Sequence, residues 1–537
     1  MKTKRVINPA VRFLTALAAA CMLTAAALTA DVSAYAVYDF PTDIPFTDKT
    51  GSGSDYDTKE DAILPDTAKT DSRDNDPDIT RTANPTIKQF LTKLETSTTI
   101  PTICVYTQDN AEVVSRNTYV PCTVYTINCD DEYRIDGAAA GIRVRGNSTA
   151  YEGNVELIRK NQVPYRIKFN KKQRMFGLNS DAACKSWVLL KAEYDLLKND
   201  IAFRMGRSIL RNGNYCSDGI PVHVYLNGSF AGIYELCEQN QINPNRISVY
   251  EAPDSYTGTD IGYLVELDNR AESPFFKMTY YGNATVTDRA GVTGSFKTGY
   301  CTLKNDNCSD KQLNFISKYI NNCFKIIYRA CEQGKYYVFD EDYNLKKAKK
   351  SQLKKTDDEG NAMDPAEIVA DLAVDLDSFV DVFLVYEMTM SRDVGEGSFY
   401  MCADFSDPAN IKKLTFTSPW DFEWSMMGAT TGSYACEFNS PDFVKTYGER
   451  SNPWFVVLMK QEWFVNRVKD RWTELRTAKN KKKTNTIDKV IKEERSLLAQ
   501  YKQDLSKTGT GAYYDAEGLI KWVEKRVKWM DEHYLND

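Results

Sequence analysis

At 537 residues and 61.0 kDa, the chain is long enough to bury one large core or two ordinary ones. Its 74 acidic and 68 basic side chains give a net charge of -6, which excludes a nucleic-acid binder held by bulk charge; no nucleic-acid partner is expected. His223 and His533 are the only histidines, so Ser-His-Asp triads, Cys-His dyads and multi-histidine metal sites are excluded, and acid-base chemistry falls to carboxylates, lysine or tyrosine.

Taken in chain order, Lys2, Lys4, Arg5 and Arg12 precede an uncharged run from Phe13 to Ala30, and Ala34-Tyr35-Ala36 supplies a small-x-small cleavage site. This predicts a signal peptide over residues 1–36, hence a secreted or surface protein with no membrane attachment after cleavage. Twelve cysteines follow, an even number that permits disulfides in an exported chain, and none is spaced CxxC, which speaks against paired-thiolate zinc sites. Residues 37–95 are expected to be a disordered acidic linker, because GSGSDYDTKEDAILPDTAKTDSRDNDPD cannot bury enough apolar surface to fold.

One folded domain is expected over 96–537. CVYT, PCTVYTINC, GIRVRG, PYRIKF and SWVLL are short β-branched or aromatic runs that read as strands. Leu197, Ile201, Met205 and Ile209 recur at helical spacing, and Asn227-Gly228 marks a type I′ hairpin turn. GYLVELDN adds another strand. Residues 310–334 read as a helix, and the Lys-rich insert 340–362 as a solvated loop. A single long helix is predicted from Pro365 to Met390, through Ile368, Leu372, Leu376, Val380, Phe383 and Leu384. Helices fill the remainder after Pro453, ending in a stripe of Leu519, Val523, Val527 and Met530. A strand-rich half (96–305) followed by a helix-rich half (306–537) gives an α+β fold class.

The stretch LTFTSPWDFEW has strand character, which sends Asp421 and Glu423 to one face and Trp420, Phe422 and Trp424 to the other. Two carboxylates about 7 Å apart on one face repel unless a proton or cation lies between them, and a divalent metal answers that need. Asp393 lies just past the long helix in a Gly-containing turn that leads into a strand. Such an acid suits a base or hydroxyl-orienting role, with a turn-capping acid as the plain alternative. GIRVRGNSTAYEGN and VPYRIKF make a hairpin whose tip offers backbone N–H groups to phosphate oxygens, with Lys168 on the neighbouring strand. Alternatively Arg143, Arg145, Arg166 and Lys168 are the wet face of a half-buried sheet.

Together these elements resemble the spore coat protein H (CotH) kinase family. The residues carrying the resemblance are Arg145 to Thr149, Pro164 to Phe169, Trp187 to Leu190, Val224 to Gly228, Gly232 to Tyr234, Glu238-Gln239, Asp393 with Ser398 and Tyr400-Met401, and Pro419 to Phe422. The terminal helix with Trp522, Arg526, Trp529 and Asp531 fits the family's ending. The resemblance implies an atypical protein-kinase-like fold that transfers the γ-phosphoryl group of ATP, with Mg²⁺ or Mn²⁺, to Ser or Thr of proteins on the cell or spore surface. Lys168 would contact the ATP phosphates with Glu238 as ion-pair partner, and Arg145, Gly146, Asn147 and Ser148 would lie near the same phosphates. Asp393 would orient or deprotonate the acceptor hydroxyl, Asp421 would hold the metal, and Glu423 would reach it as well. Two positions depart from the pattern: Ser391 stands where the family usually has Asn, and Glu423 where it usually has Asp.

Two other readings compete. One is a catalytically inactive relative acting in surface adhesion or coat assembly. The other is a glycoside hydrolase that uses Asp421 and Glu423 beside Trp420 and Trp424, although strand alternation turns those rings away from the acids.

Overall fold

The computed structural model describes residues 85–535, apart from 147, 152–153, 192–197, 272, 280–284, 298, 479–482 and 509–515. The expected signal peptide, the linker as far as residue 84, Asn147 and Leu197 lie outside the described residues.

Seven strands close a barrel. They are β1 (Thr102–Thr107), β2 (Val120–Ile127), β3 (Asp136–Val144), β4 (Tyr165–Gln173), β5 (Cys184–Lys191), β6 (Gly219–Leu226) and β7 (Ser229–Glu238), in the order β1-β2-β3-β4-β5-β7-β6. Neighbours are antiparallel except at the seam, where β1 and β6 run parallel from Thr102↔His223 to Val105↔Leu226. Alternate residues such as Val105, Val124, Ile142, Ile167, Trp187 and Leu236 fill the interior. Asn227 (φ 51°) and Gly228 (φ 80°) are both left-handed, as a type I′ turn requires, so the expected hairpin forms between β6 and β7. Residues 85–95, expected to be linker, instead build most of α1 (Pro85–Ser97), whose Leu91 and Leu94 bury against Cys104, Tyr125 and Ile127 of the barrel wall.

A second sheet, ordered β16-β15-β8-β12-β9, combines β8 (Gly262–Leu267), β9 (Phe275–Met278) and β12 (Gly299–Leu303) with β15 (Phe399–Asp404) and β16 (Thr415–Thr417). β15 and β16, strands expected within the helix-rich half, join strands of the other half, so the strand-rich and helix-rich halves interleave. β10 (Thr285–Thr287) pairs with β11 (Thr293–Ser295), and β13 (Tyr337–Phe339) with β14 (Leu345–Lys347). The last pair opens the Lys-rich insert, whose Lys346, Lys347, Lys349, Lys350, Lys354 and Lys355 are exposed.

Helices pack on both the barrel and this sheet. α2 (Val155–Lys160) connects β3 to β4, and α3 (Lys198–Ile209) follows β5. α4 (Asp310–Gln333) starts in a capping box of Ser309 and Gln312 and stops at left-handed Gly334. The single helix expected from Pro365 to Met390 is two, α5 (Pro365–Ala373) and α6 (Leu376–Thr389). Between them Val374 is extended and bridges Leu414, and the Asp375 carboxylate accepts the Ser378 N–H at 3.3 Å, starting a new helix. α7 (Pro441–Tyr447), α8 (Pro453–Leu458), α9 (Glu462–Arg476), α10 (Thr486–Thr508) and α11 (Ala516–Tyr534) complete the fold. Buried ion pairs join them. Asp381 on α6 accepts Arg211 and Arg471, both at 3.0 Å. On α11, Arg526 donates to the Glu387 carbonyl at 3.0 and 2.8 Å, and Asp531 accepts Trp472 and Arg476, each at 2.9 Å.

Among the described residues no disulfide forms, and eight of the twelve cysteines there are buried. No described helix is long and apolar enough to cross a membrane.

Candidate active site

The strand predicted through TSPWDFEW ends at Thr417. Beyond it Ser418 (φ 47°), Asp421 (φ 61°) and Met426 (φ 47°) adopt left-handed backbone, so the segment coils and strand alternation does not apply. The acids are nonetheless segregated from the rings by packing. Trp420 and Phe422 bury against Phe203 of α3, with ring centroids 5.4 and 5.9 Å away. Trp424 stacks on Phe443 at 5.8 Å. Asp421 and Glu423 remain half-buried.

Four elements converge on those acids. From the first turn of α3, Lys198 Nζ donates to the Glu423 carbonyl at 3.1 Å, and Asn199 accepts the Phe422 N–H at 3.4 Å. From the end of β3, Arg145 lies over the Trp420 ring, 5.9 Å from its centroid, within Coulombic reach of both carboxylates. From the start of β15, the Ser398 hydroxyl donates to Asp421 Oδ2 at 3.1 Å. From the turn after α6 comes Asp393.

The electrostatics follow from the crowding. Burial raises the Asp421 carboxyl above its usual range, against the pull of Arg145 and the Ser398 hydroxyl. Burial, then the neighbouring Asp421, push Glu423 up to about 7, against Lys191, Arg145 and Lys198. Asp393 also rises to about 7, through burial, opposed by Arg450 and reinforced by Asp421 and Glu396. Two crowded carboxylates suit Mg²⁺, which takes one or two protein carboxylates and fills its remaining positions with water and phosphate oxygens. Among the described residues no three His, Cys, Asp or Glu side chains gather as an all-protein metal cage.

The remaining expected residues divide. Arg145 joins the cleft. Gly146 (φ 91°) turns the chain after it, where a side chain would press on Thr149, and Ser148 opens a single 3₁₀ turn over Ser148–Ala150. The expected tight hairpin tip is a longer connection, because α2 intervenes before β4. Lys168 and Arg166 are buried on the outer face of β4, opposite Ser186 and Val188 on the side away from the barrel interior.

Glu238 is a correction. It is fully buried, paired with Arg246 at 3.1 Å and bonded to Tyr215 and Asn179 at 3.1 and 2.6 Å, and among the described residues no ion pair joins it to Lys168. Strand register explains the error. Lys168 opposes Ser186 while Glu238 opposes Trp187, so they face opposite sides, and Glu235, opposite Leu190, is the acid on the lysine's face. Ser391 is buried.

Sequence reasoning missed Lys191, Lys198, Asn199 and, above all, Arg450. Arg450 Nη1 donates to Asp393 Oδ1 at 2.6 Å. It precedes Asn452-Pro453, a helix-start signal for α8, but nothing local to the sequence ties it to a turn 57 residues earlier. A separate cavity of about 560 Å³, lined by residues including Glu112, Arg159, Gln162, Tyr165 and Phe230, opens at the barrel mouth and shares no residue with this cleft.

The family model described as CotH kinase protein matches residues 142–530. No curated protein matches the chain.

Proposed function

The chain belongs to the CotH kinase family, and from that premise we propose that this kinase-like protein is a secreted Ser/Thr kinase, transferring phosphoryl groups from Mg-ATP to surface proteins. The observation that carries the reading is the convergence of Asp421 and Glu423 on Arg145 and Lys198, with Asp393 beside them. Asp421 and Glu423 would hold Mg²⁺ (or Mn²⁺), and Arg145, with Lys168 on the same barrel wall, would meet the ATP phosphates. Bound Mg-ATP supplies the electrophilic phosphorus and the cation that neutralises charge as the bond to the leaving oxygen breaks. The chain's own part is to hold these groups in line and to offer Asp393 to the acceptor hydroxyl. An acid raised to about 7 accepts a proton near neutral pH more readily than an ordinary aspartate.

The inactive adhesion or assembly reading is favoured by one observation, that Ser391 is buried and brings no amide to the cleft. The glycoside hydrolase reading loses support, since Trp420 is buried against Phe203 and Trp424 is stacked among Phe443 and Tyr447, so that neither ring offers its face as an open platform beside the acids. The deciding experiment is transfer of labelled γ-phosphate by residues 37–537 with Mg²⁺ or Mn²⁺, beside folded Asp393→Ala and Asp421→Ala. Label on protein that vanishes in both variants supports the kinase; no transfer and no ATP-dependent thermal shift in the wild type overturns it.

A further inference from the structure

Asp393 is held by a segment remote in sequence. The turn from Asp393 to Gly397 lies against residues 448–452, and three contacts fasten it. Arg450 Nη1 donates to Asp393 Oδ1 at 2.6 Å, Asn452 Nδ2 donates to the Val394 carbonyl at 2.8 Å, and Gly395 passes so close to the Arg450 and Ser451 carbonyls that a Cβ would collide with both. The guanidinium is itself immobilised. Nε donates to the Tyr447 carbonyl at 3.0 Å and lies 3.5 Å from Glu396 Oε2, while the group packs over the Trp424 ring, 5.3 Å from its centroid. Glu396 is in turn paired with Lys297 at 3.6 Å. The Arg450 side chain is 6% exposed, against 26% for Asp393.

Such a clamp fixes one carboxylate oxygen and directs the other. Asp393 Oδ2 takes no hydrogen bond among the described residues, and the Asp393 side chain keeps an open edge. We propose that Arg450 is the positioning residue of the transfer reaction, anchoring Oδ1 so that Oδ2 is presented to the acceptor hydroxyl. This rests on the kinase reading. The transfer itself is unchanged: the acceptor oxygen bonds to phosphorus, the bond to the leaving oxygen breaks, and Asp393 takes or orients the hydroxyl proton. Arg450 exchanges no atom; it sets where the acceptor group stands. Misplacing a reacting group by about 1 Å costs on the order of 100-fold in rate.

The test is steady-state transfer to a Ser-containing protein acceptor by the wild type, Arg450→Ala and Arg450→Lys, each checked for its melting temperature. The expected result for Arg450→Ala is a kcat lowered about 100-fold with KM for Mg-ATP within about twofold, and partial recovery of kcat on adding guanidinium chloride below denaturing concentration. Arg450→Lys, which keeps the charge but not the forked geometry, should remain well below wild type. Wild-type kcat in Arg450→Ala, or a loss that follows the melting temperature with no guanidinium recovery in either variant, overturns the role while leaving the kinase reading intact. A wild type that binds no ATP and transfers nothing removes both.

Discussion

Lys198 Nζ reaches across 225 residues to the main-chain carbonyl of Glu423, at 3.1 Å. It ties the first turn of α3 to the coil carrying both acids, so the cleft's shape depends on how α3 is seated. Lys198→Met should therefore lower stability by about 1–3 kcal/mol, the cost of losing a charged donor to a partly buried carbonyl, and should weaken Mg-ATP binding. Chemical denaturation and calorimetric titration check the two parts. Unchanged ATP affinity in a destabilised variant would reduce Lys198 to a fold contact.

Asp421 and Glu423 are held together against repulsion. Asp421→Asn relieves that repulsion, so the metal-free variant should melt higher than wild type at pH 8 by about 1 °C, for a gain on the order of 1 kcal/mol. Its stabilisation by Mg²⁺ should disappear. A variant that melts lower, or still responds to Mg²⁺, would show that the pair is no metal site.

The pH dependence has a definite sign. Asp393 and Glu423 are raised to about 7 in the folded protein, so the folded state binds more protons than the unfolded chain between about pH 4 and 7. Their contribution to stability is complete below the unfolded value near 4, declines as pH rises, and is gone once pH passes about 7. The metal-free melting temperature should fall across that window less steeply in Glu423→Gln than in wild type. Saturating Mg²⁺ should raise it more at pH 8 than at pH 5, because the ionised acids bind the cation. Parallel curves for wild type and Glu423→Gln would refute the assignment.

Arg526, fully buried, donates to the carbonyls of Glu387, Thr430 and Gly432. Arg526→Ala leaves these acceptors and the Glu387 carboxylate short of a partner. Urea unfolding should show a loss of about 3–5 kcal/mol. A loss under about 1 kcal/mol would mean that the terminal helix is not fastened through this residue.

What was legible depended on how local the signal was. The Asn227-Gly228 turn and the ends of α4 are written in adjacent residues, and both appear as expected. The break at Asp375 was hidden because a capping carboxylate looks like any polar residue on the outer face of a helical stripe. The coil at Asp421 was hidden because non-glycine residues carry its left-handed turns. Choosing Glu238 required the register of three strands at once, and Arg450 required a tertiary contact. The acids of the cleft were found because aromatic burial separates them from their neighbours whether the segment is a strand or a coil.

The parallel seam between β1 and β6 has a consequence for any fragment of this protein. The family match begins at residue 142, inside β3, and leaves β1 and β2 outside it. A fragment cut there would lose β1, β2 and most of β3, baring the hydrogen-bonding edges of β4 and β6. Open edges of that kind recruit other chains. The smallest soluble piece must therefore begin ahead of Thr102, however much of the chemistry lies after residue 142.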